Sequence, residues 1–239
     1  MQNPRCYARS LDTCSSSISV EHPISKGIFG GAKSVEVHGG RFAEPRRIGI
    51  QSAGANILCT AHNSQLSPLD DEANSIADLC TTFWDSHRPN SALINGAHVE
   101  RWILKLICGI SADGSAHGQK AEPSPPVVRQ LFGLEPMPER FAFYCLKNVR
   151  VVREWNRSCW HRFFKNNQTG EVDLGVIVIC GLPLMAYVGD GDPNEAIRGP
   201  GYVGDIDVSR AECVRRPSSM VLQDETHNEL RLSFSYQST

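Results

Sequence analysis

The run Ile57-Leu58-Cys59-Thr60-Ala61-His62-Asn63 constrains this chain more than any other stretch. A thiol and an imidazole separated by two residues, at the mouth of a helix-periodic segment, form half of a zinc-type site. A closed tetrahedral site needs two further ligands, and Cys6 and Cys14 lie upstream to supply them. The seven residues between these two cysteines exceed the usual knuckle gap, so the site needs a longer loop there or a different ligand pairing. On residue chemistry alone Cys6, Cys14, Cys59 and His62 are therefore the expected metal ligands, with Cys80 the one cysteine that can substitute for Cys6. A buried apolar thiol and a plain helix-start histidine are the alternative for an isolated Cys-x2-His pair.

Composition narrows the function class. With 239 residues, 41% of them hydrophobic, the chain can build a substantial core. With a net charge of -2 the chain as a whole shows no polyanion-binding bias, so any nucleic-acid surface must be local. Such a bias exists in the first 62 residues, where Arg5, Arg9, Lys26, Lys33, Arg41, Arg46 and Arg47 face four acids. Nine cysteines without an apolar leader segment read as reduced thiols around a metal, in a soluble cytoplasmic protein. No run is long and apolar enough for a membrane span, and no membrane partner is expected.

In chain order, Ser17–Ile28 reads as a short extended segment with Ile18 and Val20 on one face, turning at Pro23, so that Glu21 and His22 stand at a strand end. Residues 29–56 read as a Gly-rich loop with a strand or two. After Asn63, Leu66, Leu69, Ala73, Ile76, Ala77, Cys80, Phe83 and Trp84 recur at helical spacing, and a second helix is marked by Val99, Trp102, Ile103, Leu106, Ile107 and Ile110. Asn90–Asn95 reads as the break between them. From Arg140 onward the pattern changes to short β-like runs: Phe141–Leu146, Val149–Trp155, Trp160–Phe164, Val172–Cys180, Leu184–Val188, Tyr202–Val208 and Glu229–Tyr236. The stretch of about ten residues from Gly189 reads as a Gly/Asp/Pro turn. The expected class is α+β: a metal-bound unit over residues 1–90, a helical connector over 91–137, and a mostly antiparallel β domain over 138–239.

The order Cys…Cys…Glu21-His22…Cys59-x2-His62-Asn63 resembles the treble-clef ββα-metal nucleases of the HNH superfamily, most closely the endonuclease VII-like branch. It is also similar to bacterial HNH-like proteins with a Ser-x-Glu-His … Leu-Cys-x2-His-Asn pattern, a likeness extended by Leu66-Ser67-Pro68-Leu69-Asp70 and Glu100-Arg101-Trp102-Ile103-Leu104-Lys105. The nuclease-like match covers the first third of the chain. It implies a structural Zn²⁺ on Cys6, Cys14, Cys59 and His62, with His22 as the general base. It also implies that Glu21 and Asn63 hold a catalytic divalent ion, Mg²⁺ or a relative, through oxygen. Here His62 stands where the family has its last cysteine, and Glu21 where an Asp is common.

The resemblance implies a metal-dependent endonuclease that hydrolyses phosphodiester bonds in nucleic acid, with DNA the expected partner and Lys26, Arg46 and Arg47 as phosphate contacts. The alternative is a catalytically inactive zinc-binding treble clef that binds nucleic acid or a protein. A second basic strip, Arg140 to Lys165 with Trp155, Trp160, Phe163 and Phe164, reads either as a nucleic-acid platform or as a solvated strand face over core aromatics.

Overall fold

The computed structural model describes residues 3–39, 42–114, 120–138, 141–147, 159–165, 172–187, 191–199, 202–203 and 206–236. The chain forms two compact units, Met1–Ala73 with Arg101–Met137, and Asn74–Glu100 with Pro138–Thr239. Its class is mixed α+β, with several sheets and four α-helices among the described residues.

The first unit is built on a strand pair that runs straight into a helix. β1 (Ile18–Glu21) is followed by a hairpin of β2 (Ser34–Gly39) and β3 (Phe42–Gly49), and then by β4 (Ala55–Cys59). β1 and β4 are antiparallel, with Ile18 opposite Cys59 and Ser19 opposite Leu58, and the register shifts before Glu21. That irregularity overturns simple alternation: Val20 is 47% exposed, whereas Glu21 is buried. α1 (Thr60–Ser86) begins at the residue after β4. Its periodic apolar residues, from Leu66 to Trp84, are all buried, as the spacing predicts. Pro68 gives up one helical N–H but stands on the exposed face, where the ring meets solvent.

Two helices complete this unit. α2 (Gly96–Asp113) contributes its Arg101–Asp113 portion, and α3 (Pro125–Leu131) starts at paired prolines that suit the first helical positions. Val128 and Leu131 of α3 are fully buried.

The second unit holds the last half of α1, the first turn of α2 and the C-terminal strands. β5 (Asn90–Asn95), β6 (Ala142–Lys147), β7 (Cys159–Lys165), β8 (Val172–Ile179) and β9 (Leu182–Tyr187) precede a short helix, α4 (Pro193–Arg198). β10 (Tyr202–Val203), β11 (Ile206–Asp207), β12 (Glu212–Arg215), β13 (Ser219–Gln223) and β14 (Glu229–Ser235) follow. A five-stranded antiparallel sheet has the order β12-β6-β9-β8-β7. β9 is buried along its whole length, which explains its unbroken apolar sequence. Cys180 and Gly181, both at positive φ, join β8 to β9. Tyr144, Leu146, Val176, Met185 and Ile197 share one core cluster, and Trp84 Nε1 donates to the Cys180 carbonyl at 3.0 Å.

A second sheet, β13-β14-β5, shows what local reading misses. Asn90–Asn95 is a strand rather than a break, paired in parallel with β14 from Leu230↔Asn90 to Ser235↔Asn95. Its partner lies about 140 residues away in sequence, so no local pattern announces it. β12 and β13 likewise fall in a stretch without a strong apolar run, and α4 occupies part of the expected turn after Gly189. The alternating C-terminal run behaves as its period dictates, burying Leu230, Leu232 and Phe234. Val149–Trp155, and with it Arg140, Arg150, Arg153 and Arg157 of the basic strip, lie outside the described residues.

Candidate metal centre and the adjoining histidine

The four ligands converge because three pieces of backbone meet at the β1–β4 pair. Cys59 ends β4, and His62 lies in the first turn of α1. Cys6 is placed by the neighbouring N–H of Tyr7 donating to Ile57 O at 2.9 Å. The long Cys6–Cys14 gap is taken up by a 3₁₀ turn at Arg9–Leu11 and by Asp12 in the left-handed region, φ 58°. Asn3 closes the loop by donating its amide to Ser16 O at 3.0 Å.

Cys6 Sγ, Cys14 Sγ, Cys59 Sγ and His62 Nδ1 all lie within 4.8 Å of one another. The sulfur-to-Nδ1 distances are 3.3, 3.8 and 3.3 Å for Cys6, Cys14 and Cys59. A tetrahedral zinc with ordinary Zn–S and Zn–N lengths sets that edge at about 3.5 Å. Cys6, Cys59 and His62 are fully buried. The far ring nitrogen, His62 Nε2, meets Thr13 Oγ1 at 2.8 Å, a hydroxyl that can accept from Nε2–H when the Nδ1 lone pair faces a metal. Burial raises the Cys59 thiol, but the His62 N–H and the Ser15 hydroxyl and N–H outweigh it and hold the thiol below its ordinary value. Burial pushes Cys6 up to about 12. The cluster is thus a Cys3His group that can bind a metal such as zinc. Cys80, buried in the second unit, is not part of it.

His22 follows directly after β1 and is half-buried. Its Nε2 lies 3.2 Å from Ile50 O. A carbonyl only accepts, so Nε2 carries the proton and Nδ1 holds the free lone pair. Burial is the main cause that lowers the pKa of His22, with Lys26 and Lys105 adding to it. The imidazole is therefore neutral at pH 7. Gly54 passes close beneath this strand end: a Cβ there would stand 2.3 Å from Val20 Cγ1 and 3.2 Å from His22 Cε1. Asn63, one residue past the last metal ligand, donates its amide to Val20 O at 3.4 Å and so stands beside the same strand end.

Glu21 has a different setting from the one the nuclease resemblance implies. Its side chain is 2% exposed, and Lys105 Nζ, itself 1% exposed, sits 2.5 Å from its Oε1. The ammonium approaches off the direction of a hydrogen bond, so the contact is ionic. Burial pushes the Glu21 carboxyl up to about 7, while the Lys105 charge pulls it down. A Mg²⁺ ion needs accessible oxygens and keeps several waters. The place of such an ion beside Glu21 is taken by the Lys105 ammonium, which compensates its charge, and the Asn63 amide is turned to Val20 O. These two residues do not fit the implied divalent ion.

Lys26, Arg46 and Arg47 are exposed; Lys26 is near enough to bear on His22, and Arg47 Nε donates to Ser34 Oγ at 2.7 Å. Sequence reasoning did not single out Thr13, Ser15, Ser25, Asp70 and Lys105 as site residues. The available signals were the Ser and Thr flanking Cys14 and a lysine three residues after Trp102 on an apolar helix face. Among the described residues no helix is long and apolar enough to cross a membrane. The chain matches no protein-family model, no curated protein and no solved structure at a significant level.

Proposed function

We propose that the first unit is a zinc-anchored treble clef of the HNH type and that it hydrolyses phosphodiester bonds in nucleic acid, with DNA as the expected substrate. The order of its parts supports the treble-clef reading: two thiols before β1, a β1–β4 pair, and the last two ligands at the β4–α1 junction. The observation that carries the activity is the state of His22, neutral, half-buried and committed through Nε2 to Ile50 O, with Nδ1 left as a base at the end of β1.

In the reaction Nδ1 takes a proton from a water molecule, the water oxygen forms a bond to phosphorus, and the phosphorus–oxygen bond to one nucleoside breaks. The departing oxygen takes its proton from solvent, and the Ile50 carbonyl stabilises the imidazolium that forms. Lys26, Arg46 and Arg47 give the unit exposed positive charge for phosphates. Cys6, Cys14, Cys59 and His62 would hold a structural metal that supplies no chemistry in this scheme and would tie β4, α1 and the N-terminal loop together beside the β1 end that carries His22.

The test is plasmid nicking by wild type and His22→Ala, each checked for zinc content and for helical signal by circular dichroism. The expected result is at least a 100-fold loss of nicking with zinc and fold unchanged. An unaltered rate in the variant removes His22 as base. The pairing of Glu21 with Lys105 favours a second reading, a zinc module that binds without cutting. That reading predicts oligonucleotide binding by wild type with no nicking under any divalent ion.

A further inference from the structure

We infer that Lys105 is the resident cation of Glu21 and the residue that positions the β1 end carrying His22, so that Glu21 is a positioning group and not a divalent-ion ligand. The positioning role rests on the His22 reading above; the identity of the cation does not. Lys105 reaches the interior from α2, where its ammonium donates hydrogen bonds to Asp70 and to the His22 carbonyl and forms an ion pair with Glu21. Nζ lies 2.5 Å from Glu21 Oε1, 2.6 Å from Asp70 Oδ1 and 3.3 Å from the backbone carbonyl of His22. One ammonium therefore joins β1, α1 and α2 at the residue that supplies the base.

The surrounding polar groups hold the same point. Ser25 Oγ donates to Asp70 Oδ1, and Trp102 Nε1 donates to Ser25 Oγ at 2.8 Å. Trp102 and Lys105 are one helical turn apart on α2, so one helix face supplies both the ammonium and the indole. Each is only 1% exposed. Two carboxylates in this setting need a cation. Lys105 is covalently fixed between Glu21 Oε1 and Asp70 Oδ1, where a divalent ion shared by the two carboxylates would sit, and the two cations exclude each other.

This exclusion gives the inference its test. Removing the ammonium should turn Glu21 and Asp70 into an acidic pair able to take a hard cation that wild type does not hold there. Mn²⁺ binding to the zinc-loaded full chain, read by electron paramagnetic resonance, compares wild type, Glu21→Gln, Lys105→Met and the double variant. Zinc content and circular dichroism are recorded for each. Glu21→Gln should leave wild-type Mn²⁺ affinity within about twofold, or leave it absent if wild type binds none. Lys105→Met should bind Mn²⁺ at least about tenfold more tightly than wild type, and adding Glu21→Gln should abolish that gain.

A tenfold or greater loss on Glu21→Gln alone overturns the inference, as does a folded Lys105→Met with no gain. If Lys105→Met fails to fold, the Glu21→Gln comparison still decides. Where wild type nicks DNA, Lys105→Met should lower kcat at least about tenfold with KM little changed, because the base is displaced while the phosphate contacts stay. A wild type that never nicks defeats the nuclease reading and leaves the Mn²⁺ comparison intact.

Discussion

Replacing Cys59 by Ser should release the metal and, with it, the N-terminal loop, and the size of that effect follows from what else holds the loop. From Asn3 to Ser17 the chain contains one 3₁₀ turn and is tied to the β4–α1 segment by two backbone hydrogen bonds, Tyr7 N to Ile57 O and Thr60 N to Ser17 O, both 2.9 Å, and by Ala61 N donating to Ser15 Oγ at 3.2 Å and Thr60 Oγ1 to Ser17 O at 3.3 Å. These bonds contribute about 1 kcal/mol each. Burial of Tyr7, which is 4% exposed, adds about 2–3 kcal/mol. Ordering the backbone of this stretch costs on the order of 15 kcal/mol at about 1 kcal/mol per residue. A structural zinc contributes about 10–16 kcal/mol, which closes the gap. Serine offers a neutral hydroxyl in place of a thiolate, so the variant keeps three ligands and loses most of that term.

The assay is metal analysis of both proteins as purified, followed by amide hydrogen exchange. Wild type should carry about one zinc per chain and Cys59→Ser only a small fraction of it. In the variant the Tyr7 and Thr60 amides should lose protection, while those of β8 and β9 in the other unit keep theirs. A wild type that carries no zinc yet protects Tyr7 would refute the reasoning, because the loop would then be held by contacts that the hydrogen-bond and burial figures do not contain. So would a variant with full zinc.

Gly54→Ala places a methyl 2.3 Å from Val20 Cγ1 and 3.1 Å from Glu21 O, so β1 must shift; the expected loss of thermal stability corresponds to about 1–3 kcal/mol, with nicking reduced more than oligonucleotide affinity. An unchanged melting temperature would show that Val20, which is largely exposed, swings aside freely. The pH profile of nicking should rise as His22 loses its proton, and because burial lowers its pKa from 6.5, the midpoint of the acid limb should lie below that value; a midpoint above 6.5 in a zinc-loaded sample would assign the limb to another group.

The legible parts of the chain are those where a short stretch of sequence dictates both chemistry and backbone. Cys59 and His62 sit on one strand–helix junction, so their spacing alone brings their ligand atoms together. The α1 and β14 apolar periods are likewise local, and both bury the residues that the periods select. The Cys6–Cys14 partnership was readable as ligand chemistry, although its geometry depends on a left-handed residue at Asp12 that no spacing rule specifies. β5 was unreadable because its partner is β14, and parallel pairing leaves no local turn signal.

Glu21 marks the boundary most clearly. Its place in a Glu-His pair at a strand end was visible, and that place invites a metal. What decides its chemistry is Lys105, 84 positions later, on a helix whose pattern marks it only as a charged residue among apolar ones. A lysine in such a stripe either reaches out to solvent along its stem or has a buried anion waiting for it. Sequence cannot choose between the two, since the choice is made by the anion's position in space. Here two carboxylates from β1 and α1 meet the ammonium, and a residue that reads as a ligand becomes one arm of an internal ion pair.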